Sequence, residues 1–299
     1  MSDWISLAAG QSYPPGTLYV VATPIGNVAD LSLRALHVLG LADAIACEDT
    51  RNTGQLLSRV GLQRPLVAVH EHNEREAARR IVTRLAAGER IAYVSDAGTP
   101  GISDPGARLV EAVRAAGLAV VPLPGPSAAV AALSVAGEML DAGEGRFTFI
   151  GFLPNKPKAR TEAIAALAGL DHAWVLYEAP HRIADTLAAL AAGLPAARRL
   201  LVGRELTKLF EETPVMTVAE GPAWLAAEPT RAKGEFVLVV EGAGKAVADA
   251  DAPDAEAQRV LSLLLAELPA KRAAKLAAAI TGAGTDALYR LALAQRADD

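Results

Sequence analysis

The chain is short of cysteine, of positive charge and of familiar nucleotide-binding signatures, and each shortage narrows what it can be. Cys47 is the one cysteine in 299 residues. That excludes an internal disulfide and a thiolate metal cluster, and it fits a reducing, cytoplasmic setting. No apolar run approaches the roughly 20 residues of a membrane span. Residues 1–16 have neither a basic stretch nor an apolar core and read as a mobile arm, not a secretion signal. The chain has no G-x-x-x-x-G-K-[ST] phosphate loop, no G-x-G-x-x-G after its first strand, and no G-x-S-x-G nucleophile elbow. The five histidines do not fall at metal-ligand spacings. His70 and His72 are close, but Glu71 and Glu74 around them give that stretch the look of an exposed loop, and no metal is expected. Lys and Arg total 29 against 34 Asp and Glu, a net charge of −5. A protein that held nucleic acid by bulk attraction would be basic, so an RNA partner must meet a local patch or an RNA–protein assembly.

Apolar residues are plentiful, and their pattern is regular. Strand-length runs at 17–22, 42–47, 66–69, 91–95 and 119–122 alternate with helical spacing near 31–39, 53–60, 74–87 and 107–116. Such alternation predicts an α/β domain with a mostly parallel sheet over residues 17–136. The glycine-rich stretch Ala136 to Arg146 breaks the pattern and is the expected boundary. A second α/β domain follows over 147–242, with strands near 147–150, 173–177, 199–202, 214–217 and 235–240 and helices near 158–168 and 182–192. The strands near Val202 and Met216 are too close for a crossover helix, which predicts a hairpin and a mixed sheet. Residues 243–256 are Ala/Asp-rich and read as an acidic linker. Residues 257–299 carry three helical segments broken at Pro269 and at Gly282-Ala-Gly284, with Lys271, Arg272 and Lys275 on the middle one. This small appendage suits a helix-turn-helix and equally a packing or dimerisation element.

The eleven residues Asp96 to Gly106 (Asp-Ala-Gly-Thr-Pro-Gly-Ile-Ser-Asp-Pro-Gly) hold more Gly, Pro and hydroxyl residues than chain reversal requires. Either this is an elaborate tight turn, or a ligand approaches its backbone closely. Similar loops end other strands, at Ala22-Thr-Pro-Ile-Gly-Asn27 and at Pro122-Leu-Pro-Gly-Pro-Ser-Ala128. Ligands of parallel sheets lie at these carboxyl ends. Ser127 can cap the following Ala-rich helix, and the same geometry aims backbone N–H groups at a ligand. With few basic residues nearby, a ligand carrying one carboxylate, a ribose and an adenine suits the loops better than a polyphosphate. In the second half, Gly151 to Arg160, Tyr177 to Arg182, Gly203 to Lys208 and Lys233 to Phe236 each put a cation where a strand ends. Any one of these is an ordinary solvated strand end; four together can converge on a polyanion.

These residues, in this order, resemble the motif series of the ribosomal small-subunit RNA 2′-O-methyltransferase I family. The resemblance rests on Val21 to Asn27, Glu48-Asp-Thr-Arg51, Ser95 to Gly106, Pro124 to Ala128, Gly151 to Pro154, Tyr177 to Arg182, Arg204 to Lys208 and Lys233-Gly-Glu235, and the helical tail matches as well. It implies two α/β domains of the tetrapyrrole-methylase type with S-adenosylmethionine in the cleft between them, and a small helical appendage. It implies a homodimer and 2′-O-methylation of cytidine 1402 in 16S rRNA. Carried over by position, Pro24, Ile25, Gly26, Asp96, Gly98, Ile102, Ser127 and Ala128 form one cofactor wall, with Asp96 bonding through its side chain. Tyr177, Leu206 and Phe236 form the other.

Aligning the hydroxyl with the methyl group and removing its proton are the chemical demands. Glu48, Asp49, Glu178 and His181 are candidates for the proton, with Glu48 and Asp49 favoured because their strand end faces the cleft; pairing with Arg51 is the purely structural alternative. Arg51, Lys156, Lys158, Arg160, His181, Arg182 and Lys208 are expected to hold the RNA, with Lys271, Arg272 and Lys275 adding contacts. The acidic balance favours the assembled small subunit over naked rRNA as substrate. A tetrapyrrole-type small-molecule methyltransferase and a non-catalytic ribosome-binding protein are the competing readings. The basic strand ends weigh against the first and the intact loops against the second.

Overall fold

The structure, a computed structural model, describes residues 6–70, 73–141, 143–244 and 255–297. Glu71, His72 and most of the acidic stretch expected as a linker lie outside the described residues. The chain divides into two compact units, Met1–Ala243 and Gly244–Asp299. No helix among the described residues is long and apolar enough to cross a membrane.

The first unit opens with α1 (Ser6–Ala9) and β1 (Thr17–Val21). Between them Tyr13 donates its hydroxyl to the Ala8 carbonyl (2.9 Å) and packs against Tyr19 and His37, while Arg90 Nε donates to the Tyr13 carbonyl (2.9 Å). Residues 6–16, read from the sequence as part of a mobile arm, are held by these contacts. The chain continues through α2 (Leu33–Leu41), β2 (Ala44–Cys47), α3 (Thr50–Arg59), β3 (Leu66–Ala68), α4 (Glu74–Ala86), β4 (Ile91–Val94), α5 (Ala107–Ala115) and β5 (Ala119–Leu123). The five strands form a parallel sheet in the order β3-β2-β4-β1-β5.

Side chains alternate across this sheet. Tyr19, Val21, Ile45, Cys47, Ala92 and Val94 meet Val38 and Leu39 of α2 and Leu57 of α3 on one face. Leu18, Ala46, Ile91 and Tyr93 meet Ile81 and Leu85 of α4 and Leu109 and Val113 of α5 on the other. Both faces are covered, which is why these strands read as unbroken apolar runs. Each fully buried Leu or Ile adds about 1.5–3 kcal/mol.

Glu74 corrects one expectation. Read from the sequence as part of an exposed loop, it is only 5% exposed. Its Oε1 accepts from the backbone N–H groups of Gly106 (3.1 Å), Arg108 (3.0 Å) and Leu109 (3.3 Å). The first turn of α5 has orphan N–H groups and a positive dipole end, and a carboxylate from α4 satisfies both.

A connecting segment forms α6 (Ala128–Ser134) and α7 (Glu138–Asp141), the latter inside the stretch expected only as a break. Then come β6 (Phe147–Phe152), α8 (Pro157–Leu167), β7 (Ala173–Glu178), α9 (Ile183–Gly193), β8 (Arg199–Arg204), β9 (Val215–Thr217), α10 (Gly221–Ala227) and β10 (Phe236–Val240). The second sheet has the order β6-β7-β10-β8-β9. It is mixed: β10 runs antiparallel to β7 and β8, and β8–β9 is the hairpin the short spacing predicts. Helix α10 is not anticipated by the sequence; seven residues are too few for periodicity to show. Trp174, Leu176, Leu200, Val202, Leu238 and Val240 pack with residues of α8, α9 and α10. Val175, Leu201, Val237 and Val239 pack with Ala129, Ala132 and Leu133 of α6 and Met139 of α7.

The second unit is α11 (Ala255–Leu265), α12 (Ala270–Thr281) and α13 (Thr285–Ala297). Ala270, Ala273, Ala274 and Ala277 give α12 a small-residue face that lies buried with Leu261 and Leu288. Gly282, at φ 78°, ends α12 in the left-handed conformation.

Glu74→Ala leaves three backbone donors, two of them buried, without that acceptor. The expected outcome is a loss of about 2 kcal/mol in unfolding free energy at an unchanged m value, measured by urea titration.

Candidate active site

Topology puts the special loops side by side. β4, β1 and β5 are adjacent and parallel, so their carboxyl ends, which carry the loops at Asp96, Thr23 and Pro124, share one edge of the first sheet. In the second sheet Phe236, at the start of β10, sits between Glu178 and Arg204, at the ends of β7 and β8. Tyr177, Val237 and Gly203 form the next row.

The loops are pinned to each other by the backbone. Thr23 and Gly98 exchange two hydrogen bonds, N–H to carbonyl, of 2.8 and 3.0 Å. Thr99 Oγ1 donates to the Pro126 carbonyl (3.0 Å), tying in the third loop. Gly98 has φ 79°, and a Cβ there would lie 3.4 Å from Ile25 Cγ2. Across the cleft, Asn27 N–H donates to Thr207 Oγ1 (3.1 Å). Glu205 (φ 50°) and Thr207 (φ 68°) both adopt the left-handed conformation that L side chains disfavour. They flank Leu206, which packs with Ile25 in the core shared with α6. Strain of this kind persists only where surrounding structure imposes it, and it collects at ligand sites.

A cleft of about 300 Å³ lies between these two sets of loops, at the small end of the range for ligand sites. Of the residues nominated from the sequence, Ile25, Ile102, Ser127, Ala128, Tyr177, Leu206 and Phe236 line it. Pro24, Gly26, Asp96 and Gly98 do not. Gly98 acts through the Thr23 bridge, and Gly26 allows close approach: a Cβ there would lie 2.4 Å from Lys208 Cγ. The side chain of Asp96 is engaged within the protein. It accepts from Asp49 N–H (3.1 Å) and Asn52 Nδ2 (2.9 Å), joining its loop to the start of α3. Ser127 makes no capping bond to α6. Burial pushes the Tyr177 phenol up, and the nearby Ala129 N–H and Ser127 side chain only oppose the shift. Sequence reasoning missed Phe152, Ser103 and Asp104, although all three lie within the quoted motifs and line the cleft.

The charged residues divide sharply. Asp49 binds Arg51 at 2.7 Å, and its Oδ1 accepts the Arg51 N–H as the cap of α3. The side-chain bond from Arg51 comes first in holding the Asp49 carboxyl down at about 2, which makes it a weak base. For Glu48 burial, then Asp96, Asp104 and Asp49, push the carboxyl up. Glu178 is 2% exposed and locked by Thr186 Oγ1 (2.6 Å), Ala179 N–H (2.8 Å) and Arg182 Nε (3.2 Å).

Three cations expected on the RNA surface are bonded within the protein. Arg160 is 4% exposed, with Nη2 3.2 Å from Asp185 and Nη1 3.4 Å from Thr186. Arg182 donates to the Leu153 carbonyl (2.5 Å) and lies against Glu178. Lys208 Nζ bonds Glu205 and Glu235, both at 2.8 Å. Burial opposes its charge, but the two carboxylates prevail and hold the ammonium up. Arg51, Lys156, Lys158, His181, Lys271, Arg272 and Lys275 are exposed.

Residues 17–221 match the family model "Tetrapyrrole (Corrin/Porphyrin) Methylases", and residues 251–296 match "RsmI C-terminal HTH domain". The chain is 52% identical over 276 residues to the ribosomal RNA small subunit methyltransferase I of Xylella fastidiosa (strain Temecula1), covering 92% of this chain and 98% of that one. It is 48% identical over 281 residues to the protein of the same name from Escherichia coli O157:H7, covering 94% and 96%. The chain belongs to the ribosomal RNA small subunit methyltransferase I family. Among solved structures, the methyltransferase CobJ superposes with a TM-score of 0.57 at 23% identity, covering 76% of this chain and 95% of that one. Uroporphyrin-III-C-methyltransferase from Thermus thermophilus gives 0.53 at 23%, covering 75% and 94%. These two likenesses establish the fold.

Family members are methyltransferases that use S-adenosylmethionine, and the residues present suit it. The walls are largely apolar, with a hydroxyl and a phenol at Ser127 and Tyr177. The lining cation Lys208 is neutralised by Glu205 and Glu235, while Asp104 brings negative charge. Such a lining disfavours a polyphosphate and accepts a ligand whose sulfonium is positive. Gly98→Val puts a β-branched side chain at φ 79° and against Ile25. Holding that conformation costs about 1–2 kcal/mol, and S-adenosylmethionine affinity in calorimetry is expected to fall at least about tenfold.

Proposed function

We propose that the chain transfers the methyl group of S-adenosylmethionine to the ribose 2′-oxygen of cytidine 1402 in 16S rRNA. The observation that carries this reading is the formed cleft in a chain about half identical, along nearly its whole length, to small-subunit rRNA methyltransferases. When bound, the cofactor supplies a methyl group already activated by a positive sulfur. The chain's own residues bind, align and exclude water. Ile25, Leu206 and Phe236 give an apolar enclosure, in which a reaction that consumes a positive charge is favoured. Tyr177, packed edge-on against Phe149 and Phe152, gives the wall a polar group.

RNA is held at exposed cations around the cleft: Arg51, Lys156, Lys158 and His181, with Lys271, Arg272 and Lys275 of α12 as a further contact surface. Lys271 and Lys275 stand one helical turn apart. The net charge of −5 favours the assembled small subunit as substrate, where protein surfaces add to the recognition. We place the enzyme in the cytoplasm as a homodimer. Leu209 (88% exposed) and Phe210 (67% exposed), in the connection leading to edge strand β9, support self-association.

Purified subunits and free 16S rRNA, each incubated with methyl-tritiated S-adenosylmethionine, test the function. Label is expected on the subunit, at one ribose whose phosphodiester resists alkaline cleavage. Label on a porphyrin in place of rRNA would overturn it. Lys156→Ala with Lys158→Ala is expected to raise KM for the subunit several-fold and leave cofactor affinity unchanged. Arg160→Ala is expected to behave differently, lowering stability by about 2 kcal/mol in urea. Leu209→Glu with Phe210→Glu is expected to shift the mass measured by light scattering from dimer to monomer.

A further inference from the structure

We propose that Asp104 accepts the proton of the ribose 2′-hydroxyl during methyl transfer, in place of Glu48 or Asp49. The inference rests on the function proposed above and names the group on which its chemistry turns. Three carboxylates line the cleft: Asp104, Glu178 and Glu235. Glu178 is locked among Thr186, Ala179 and Arg182, and Glu235 binds Lys208. Neither Glu48 nor Asp49 lines it, and Asp49 is committed to Arg51. Asp104 is half-buried and lies near the Ser95 side chain, a neutral neighbour that leaves the carboxylate able to accept a proton.

The segment holding Asp104 is fixed on both sides. Ser103 before it is left-handed at φ 62°, and its Oγ would lie 3.3 Å from a Cβ built on Gly151, in the bulge of β6. After it, the Tyr93 hydroxyl donates to the Pro105 carbonyl (2.6 Å), and Glu74 accepts the Gly106 N–H (3.1 Å). A catalytic base must be held in one place, and this loop has the anchors to do so.

Its electrostatic setting suits the task. Burial pushes the Asp104 carboxyl up; the nearby Ser95 side chain opposes this, and Asp96 adds to it. Glu48, just past the end of β2, supplies further negative charge nearby, since Asp104 is among the charges that push its carboxyl up. The phenols of Tyr93 and Tyr177 also feel the Asp104 charge. A carboxylate raised toward neutrality is a better base than one held at about 2.

The step balances. The 2′-oxygen bonds to the methyl carbon, and the carbon–sulfur pair stays on sulfur, which becomes neutral. The hydroxyl proton moves to an Asp104 carboxylate oxygen and leaves to solvent after product release.

Asp104→Asn and Asp104→Glu test the assignment. Asp104→Asn is expected to cut the single-turnover rate on small subunits at least about 100-fold, with S-adenosylmethionine affinity in calorimetry within about threefold of wild type. Asp104→Glu is expected to recover part of the rate. The wild-type rate should rise with pH through the raised Asp104 value, because only the ionised form accepts a proton. The residual Asp104→Asn rate should lack that limb. Independently of turnover, carbon-13 NMR of the cofactor-free protein should titrate the Asp104 carboxyl above the ordinary carboxylate range. The variant should remain folded: a raised carboxyl stabilises the fold below its unfolded value and loses that contribution as pH rises, so removing the charge at neutral pH takes nothing away.

An unchanged single-turnover rate in Asp104→Asn would overturn the proposal. So would lost cofactor affinity with a normal rate at saturation, which would make Asp104 a cofactor ligand instead. Wild-type protein that labels no rRNA ribose overturns the function and the base together; active wild type with an equally active Asp104→Asn overturns the base alone.

Discussion

Everything at the cleft depends on a pair of backbone hydrogen bonds between Thr23 and Gly98. Parallel strands end with their carbonyls and amides unsatisfied, and the loops beyond them have no inherent reason to stay together. Here the two central strand ends close on each other through main-chain atoms. A third loop joins through Thr99 and the Pro126 carbonyl. The ligand-facing surface is therefore an extension of the sheet and shares its rigidity. Gly98 makes this possible, since the bridge requires a positive φ just where Ile25 packs closest.

Charge is used economically in the second sheet. Cations that end its strands mostly face inward. Arg160, Arg182 and Glu178 form a chain through Thr186 that ties α8, α9 and the end of β7 together. Lys208 does similar work between Glu205 and Glu235. Buried ions such as Arg160 and Glu178 are tolerable only when each has its partner, and together these pairs hold the cleft's second wall in place.

Much of the fold is legible in the sequence because burial on both faces of a parallel sheet writes apolar runs of strand length. The hairpin of β8 and β9 is legible from spacing alone. The site is legible as a set of loops, and far less so as a set of side chains. Asp96 and Asp104 are both aspartates in one glycine-rich loop, yet one faces α3 and the other lines the cleft. Which does which is decided by turn geometry, through the left-handed Ser103 and the anchor at Pro105. Arg160 and Lys158 are neighbours at a helix start with opposite fates, set by which turn of α8 meets α9. Glu74 looked solvated because its donors lie 32 to 35 residues away in the chain.

Ser103, Glu205 and Thr207 are held in left-handed conformations without being glycine, and all three sit around the cleft. Each position stores a small amount of conformational energy that the rest of the fold must sustain. Glycine would relieve strain at each of the three, but at Glu205 and Thr207 it would also remove the bonds to Lys208 and Asn27. Any such gain would slacken the loops that aim Leu206 and Asp104. Selection for heat resistance and selection for methyl transfer therefore pull these three positions in opposite directions.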